Sequence, residues 1–200
     1  MATLEFFFDC SSPWTYLAFT RVQPMAQRTG ADIVWKPILV GGVFNAVNQE
    51  VYERRANPEP RKAAYGAKDL QDWARHVGIT IVMPPPVFPV KATLAMRCAL
   101  AAQEEGKVVE YSRACFQAYW SDLKDISLPH VLLEVCVAAD LDGEHILARG
   151  QTEEIKGRLR ANTDELIARG GYGSPTIFVG GADMYFGNDR LELVEAALLR

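Results

Sequence analysis

The chain has 200 residues, 49% of them hydrophobic and 23% charged, with a net charge of −4. That length builds one large domain, or a small domain carrying an insertion, around a full apolar core. The acidic balance, with no polybasic run, argues against nucleic-acid and membrane-surface partners, and no apolar run approaches the ~20 residues of a membrane span.

In chain order, Leu4, Phe6 and Phe8 alternate with the period of a strand across residues 3–9. Ser12 and Pro13 then suit the cap and first position of a helix. Leu17, Val22 and Met25 continue that helix to Gly30. Ile33 to Val40 reads as a second strand closed by Gly41-Gly42, so residues 1–42 read strand, helix, strand. Residues 43–60, with Asn48, Asn57, Pro58 and Pro60, read as irregular.

A helical stretch follows. Tyr65, Leu70, Trp73 and Val77 mark a helix stopped at Gly78, and Ile79 to Pro89 is a proline-rich connector. Leu94, Cys98 and Ala101 lie on the next helix, and Val109, Phe116, Tyr119 and Trp120 on another. Ser127 suits the cap of a helix running through Ala139, and Thr152 to Ala168 forms one more. Thr176 to Val179 returns to strand chemistry, with Gly180-Gly181 as a hairpin turn and Met184 to Phe186 as the return strand. Asp189 with Glu192 reads as a capping box for a last helix that reaches Leu199.

Cys10, Cys98, Cys115 and Cys136 have no CxxC spacing, and the last three read as reduced core residues. The N-terminus lacks the basic and apolar regions of a signal peptide, so the expected compartment is the cytoplasm. His76, His130 and His145 are scattered and predict no metal site, and no glycine-rich phosphate loop predicts a nucleotide. Phe116, Tyr119, Trp120 and Trp73 read as helix core.

Chemistry concentrates at Ser12. A helix N-terminus offers free N–H groups and positive potential, so it stabilises anions. A serine there cannot exchange disulfides, but it can cap the helix and also hold a thiolate from another molecule. The strand followed by Ser12-Pro13, together with Gly173-Ser174-Pro175-Thr176 before a late strand, matches the skeleton of the thioredoxin fold. The expected fold is α/β, a thioredoxin-like domain of residues 1–42 and 172–200 split by a large all-helical insertion, 43–171.

Five segments resemble one family in order along the chain. They are Phe8-Asp9-Cys10-Ser11-Ser12-Pro13-Trp14-Thr15-Tyr16-Leu17, Lys36 through Gly42, Pro60 through Tyr65, Gly173 through Thr176, and Phe186-Gly187-Asn188-Asp189-Arg190. Together they resemble the 2-hydroxychromene-2-carboxylate isomerase and kappa-class glutathione transferase family, with a DsbA-like thioredoxin fold. The resemblance implies glutathione as cofactor, activated by Ser12. Related disulfide oxidoreductases carry thiols at the positions of Ser12 and Thr15.

It also implies that Pro175 is a cis proline, with Ser174 pairing with the cysteinyl part of glutathione; the residues alone suit a trans proline opening an edge strand. Asn188, Asp189 and Arg190 correspond to the corner for the γ-glutamyl end, although Asp189 and Glu192 also suit a simple cap. Lys62 matches the lysine that meets the glycine carboxylate, and Asn48 an asparagine of the same pocket. The implied activity is cis-trans isomerisation in aromatic catabolism, the glutathione thiolate adding reversibly to a small conjugated substrate. Lys36 and Lys91 are candidates for its carboxylate. The alternatives are a kappa-like transferase conjugating electrophiles and a non-catalytic binding module. The family pattern further implies a homodimer.

Overall fold

The computed structural model describes residues 2–200. Four strands form a mixed sheet: β1 (Thr3–Phe8), β2 (Asp32–Pro37), β3 (Thr176–Val179) and β4 (Asp183–Phe186). Their spatial order is β2-β1-β3-β4. β1 and β2 run parallel, joined by α1 (Pro13–Thr29), while β3 is antiparallel to both β1 and β4. Between β2 and β3 stand eight helices among the described residues: α2 (Val40–Val47), α3 (Glu50–Ala56), α4 (Pro60–Val77), α5 (Thr93–Glu104), α6 (Val108–Trp120), α7 (Pro129–Ala138), α8 (Gly143–Gly150) and α9 (Glu153–Ala168). After β4, a 3-10 turn (Asn188–Arg190) leads into α10 (Leu191–Leu198).

The apolar run of β1 explains its central place. Leu4, Phe6, Phe7 and Phe8 are all fully buried, so both faces of the strand are covered. Phe6 and Phe8 present to Trp35 and the large core shared with α1 and the inserted helices. Phe7 points the other way, into a smaller cluster with Ile38, Val43, Leu166 and Phe178. The ring of Tyr16 stacks flat on Phe116 at 5.0 Å, tying α1 to α6. At the end of α9, Arg169 pairs with Glu5 on β1 and lies 3.8 Å over the Phe178 ring, which fastens the inserted helices back to the sheet.

The α/β fold with its helical insertion follows the expected order of elements, with local corrections. β2 stops at Pro37, and Val40, Gly41 and Gly42 belong to α2 instead of a strand. The cause is tertiary capping. Asp9 Oδ2 accepts from Val40 N at 2.8 Å and Thr163 Oγ1 from Leu39 N at 3.0 Å, satisfying helix-start donors from distant segments. The expected boundary after residue 42 therefore falls inside α2. Residues 43–60, read as irregular, hold most of α2 and all of α3.

Ser127 does not cap α7. Leu128 occupies that position, Pro129 opens the helix, and Ser127 N donates to Asp125 Oδ1 at 2.9 Å. α8 was not anticipated; the Asp142 side chain caps it by accepting from His145 N. The capping box at Asp189 does not form, because that carboxylate pairs with Arg190 at 2.6 Å and α10 begins at Leu191. Among the described residues, no helix is long and apolar enough to cross a membrane.

Candidate active site

Ser12 sits in extended backbone (φ −106°, ψ 120°) at the N-cap of α1, with Pro13 as the first helical residue. Its Oγ accepts from Thr15 N at 3.2 Å and donates to the carbonyl oxygen of Ser174 at 3.1 Å. The Ser174–Pro175 bond is cis. Beneath this contact, Ser174 Oγ lies 2.7 Å from Thr15 Oγ1 and accepts from Asp9 N at 3.1 Å. Thr15 is fully buried and Ser174 nearly so. The end of β1, the start of α1 and the approach to β3 thus meet in one hydrogen-bonded knot, with the Ser12 hydroxyl on its outer side.

Asp9 supports the knot from within. One carboxylate oxygen accepts from Ser11 N and Ser11 Oγ, both at 2.8 Å, and the other accepts from Val40 N. Burial pushes its carboxyl above the ordinary value, and the hydrogen bonds from Val40 and Ser11 pull it part of the way back. An acid directly after the run Phe6-Phe7-Phe8 was the one sequence signal for this role.

Cys10, next along, is fully buried. Its carbonyl accepts from Trp120 Nε1 at 2.9 Å, and burial, reinforced by Cys115, raises its thiol far above the ordinary range. It has the character of a core residue and not that of a reactive thiolate.

Ser12 and Ser174 open onto a cavity of about 990 Å³. Its wall includes six aromatic side chains: Trp14, Phe44, Tyr52, Phe88, Tyr172 and Phe186. Tyr172 and Phe186 pack with centroids 4.5 Å apart. Gly173 lets Phe186 lie this close, since a Cβ there would stand 2.8 Å from its ring. Gly187, at φ 104°, turns the chain out of β4 into the 3-10 turn, a conformation that favours glycine. Three charged side chains line the cavity: Glu50, Arg54 and Arg55, all on α3. The aromatic wall, Asp9 and Arg55 are the parts that sequence reasoning did not find.

Of the residues singled out from sequence, Ser12, Asn48 and Ser174 line this cavity, and Pro175 adjoins it. Asn48 Nδ2 donates to the Tyr172 carbonyl at 3.0 Å. Lys62 is exposed in the first turn of α4, outside the lining, and its N–H donates to the capping Glu59 carboxylate. Asn188 is buried; its carbonyl accepts from Arg21 at 2.7 Å, and its Nδ2 has no partner among the described residues. Asn188, Asp189 and Arg190 follow the cavity-lining Phe186 by two to four positions without lining the cavity themselves. Lys36 is tied to Glu165 at 2.9 Å, and Lys91 is exposed; neither lines the cavity.

A family model described as "DSBA-like thioredoxin domain" matches residues 3–199. The 2-hydroxychromene-2-carboxylate isomerase of Pseudomonas putida is 30% identical, covering 98% of this chain and 94% of that protein. Glutathione S-transferase kappa 1 of Homo sapiens is 28% identical over 96% of this chain and 88% of its own. The solved structure of a 2-hydroxychromene-2-carboxylate isomerase superposes with a TM-score of 0.80 at 27% identity, covering 98% of this chain and 94% of the other.

Proposed function

The chain belongs to the DSBA-like thioredoxin domain family, as an enzyme of the group that holds these isomerases and kappa glutathione transferases, and from that premise we propose a glutathione-dependent isomerase of the 2-hydroxychromene-2-carboxylate type. The observation that carries the reading is the Ser12 hydroxyl. It stands at the N-terminus of a 17-residue helix, 3.1 Å from the Ser174 carbonyl, over an aromatic-walled cavity whose lining contains no cysteine.

The residues present suit a tripeptide thiol. Ser174 offers a backbone carbonyl to which the Ser12 hydroxyl donates. A peptide N–H of bound glutathione would compete for that carbonyl, and the Ser12 hydroxyl would then be available to donate to sulfur. In this reading Asn48 and Lys62 serve one end of the tripeptide and Asn188, Asp189 and Arg190 the other, where the buried Asn188 Nδ2 is a donor without a partner among the described residues. Bound glutathione supplies a thiol that, once ionised, adds reversibly to the conjugated carbon of a small aromatic substrate.

The chain's task is therefore to favour the thiolate. The N-terminal field of α1 and the Ser12 hydrogen bond both stabilise the negative form over the neutral one. Asp9 keeps the Ser11–Ser12 turn and the α2 wall in register. The aromatic wall takes the flat substrate and excludes water around it.

The test is the ultraviolet thiolate absorbance of glutathione on the protein against pH. We expect the bound thiol to ionise below its ordinary value of about 8.5. Ser12→Ala should move that ionisation up by at least about one unit, or ~1.4 kcal/mol of selective thiolate stabilisation. No thiolate at neutral pH, or the same curve in the variant, overturns the reading. The match to a kappa transferase supports a second reading with the same hydroxyl, in which glutathione leaves joined to an electrophile. Substrate turnover without loss of free glutathione separates the isomerase from it.

A further inference from the structure

Of the three charged side chains in the cavity lining, two neutralise each other: Arg54 pairs with Glu50 one turn away on α3. The Arg55 side chain has no acidic partner and no hydrogen bond among the described residues. Its guanidinium carbon instead lies 5.5 Å from the centroid of Phe44 and 5.6 Å from that of Phe88, two rings of the cavity wall. In a protein of net charge −4, the cavity beside Ser12 is thus left with one positive charge in excess. α3 buries no residue, so core packing does not account for the placement of Arg55.

Aromatic rings attract a guanidinium but accept none of its N–H bonds in the way a carboxylate does, so the donors of Arg55 stay without a partner among the described residues. Those donors form a planar fork matched to a carboxylate. We propose that Arg55 anchors the acid group of the second substrate, so that the cavity selects flat aromatic carboxylates over neutral aromatics of the same shape. The aryl part lies against the aromatic wall while the carboxylate meets the fork. Lys36 and Lys91, the basic residues that the sequence offered for this role, do not line the cavity. The assignment rests on the proposed enzyme reading for its second substrate, but it does not depend on Ser12 activating a thiol.

The experiment is calorimetric titration of the full chain with naphthalene-2-carboxylate, a flat acid with no electrophilic carbon, and with its uncharged methyl ester. We expect the acid to bind the wild type, and Arg55→Gln to weaken it at least about ten-fold while leaving the ester unchanged, the signature of a lost charge-assisted bidentate contact. Arg55→Lys should recover only part of that loss, and Arg54→Gln should stay within about two-fold, since removing a charge at large does not remove the fork. Matching circular dichroism melts for the variants keep a folding defect apart from a binding defect.

Equal binding of acid and ester to the wild type, no binding of the acid, or an unchanged acid affinity in Arg55→Gln each overturns the proposal. A glutathione titration of the same variants identifies the source of the carboxylate. If Arg55→Gln weakens glutathione and spares naphthoate, the anchor belongs to the tripeptide's own carboxylate and the proposal falls. Arg55-dependent naphthoate binding with no thiolate signal would support the anchor while removing the glutathione reading, and an intact thiolate signal with no naphthoate binding would do the reverse.

Discussion

Asp9 is a buried acid, a carboxyl 2% exposed at the foot of the Ser12 turn. Because burial raises its folded value above the ordinary one of about 4, folding favours its protonated form. The stabilisation from Asp9 is therefore fully present below that ordinary value and falls as pH rises through the folded value. Asp9→Asn does not titrate, so the melting-temperature advantage of wild type over the variant should shrink as pH is raised from about 4 towards neutrality. An advantage that grows with pH would mean that the hydrogen bonds from Val40 and Ser11 outweigh desolvation. Ser12 was legible in sequence because a Ser-Pro pair after an apolar strand has a local meaning. Arg55 was not, since its significance is the absence of a partner acid, and only folding shows which charges find one.

At the scale of elements, α1 and the β3–β4 hairpin carry start and stop signals of their own and match the sequence reading, while α8, with its own Asp142 cap, does not. α1 runs from its Ser12 cap to Gly30 in left-handed backbone, and the β3–β4 hairpin turns at Gly180-Gly181. Elements with distant or different starts were misread. α2 begins on donors captured by Asp9 and Thr163, and α10 begins without a side-chain cap. This gives Asp189 a test. Its partner Arg190 is half-exposed and no capping box forms, so Asp189→Ala should change unfolding free energy by less than about 1 kcal/mol. If Asp189 accepts the ammonium of glutathione, the same variant should weaken glutathione several-fold in calorimetry. A large stability loss with unchanged affinity would return it to the role of a helix cap.

Over the whole molecule, one apolar core takes in β1, α1 and helices α4 to α10, so the insertion that interrupts the chain does not interrupt the core. Urea unfolding should then give coincident transitions by far-ultraviolet circular dichroism and tryptophan fluorescence. Phe116→Ala, which removes the Tyr16 stack between α1 and α6, should cost about 3–5 kcal/mol in both. Two separated transitions would mean that the helices hold together without the sheet. The four strands, α1 and the longer inserted helices were readable from periodicity, whereas α2, α3 and α8 were not; nor was the sharing of one core, because it depends on which faces meet. The four cysteines lie within that shared core, all unpaired and buried, with the Cys98 thiol pushed up to about 12 and that of Cys136 to about 11, chiefly by burial. A scaffold built for sulfur exchange elsewhere here withholds its own sulfur from solvent. An alkylating reagent should thus count opening events of the native chain, its labelling rate rising with denaturant in step with unfolding, and oxidants that consume free glutathione should leave the folded protein's thiols untouched.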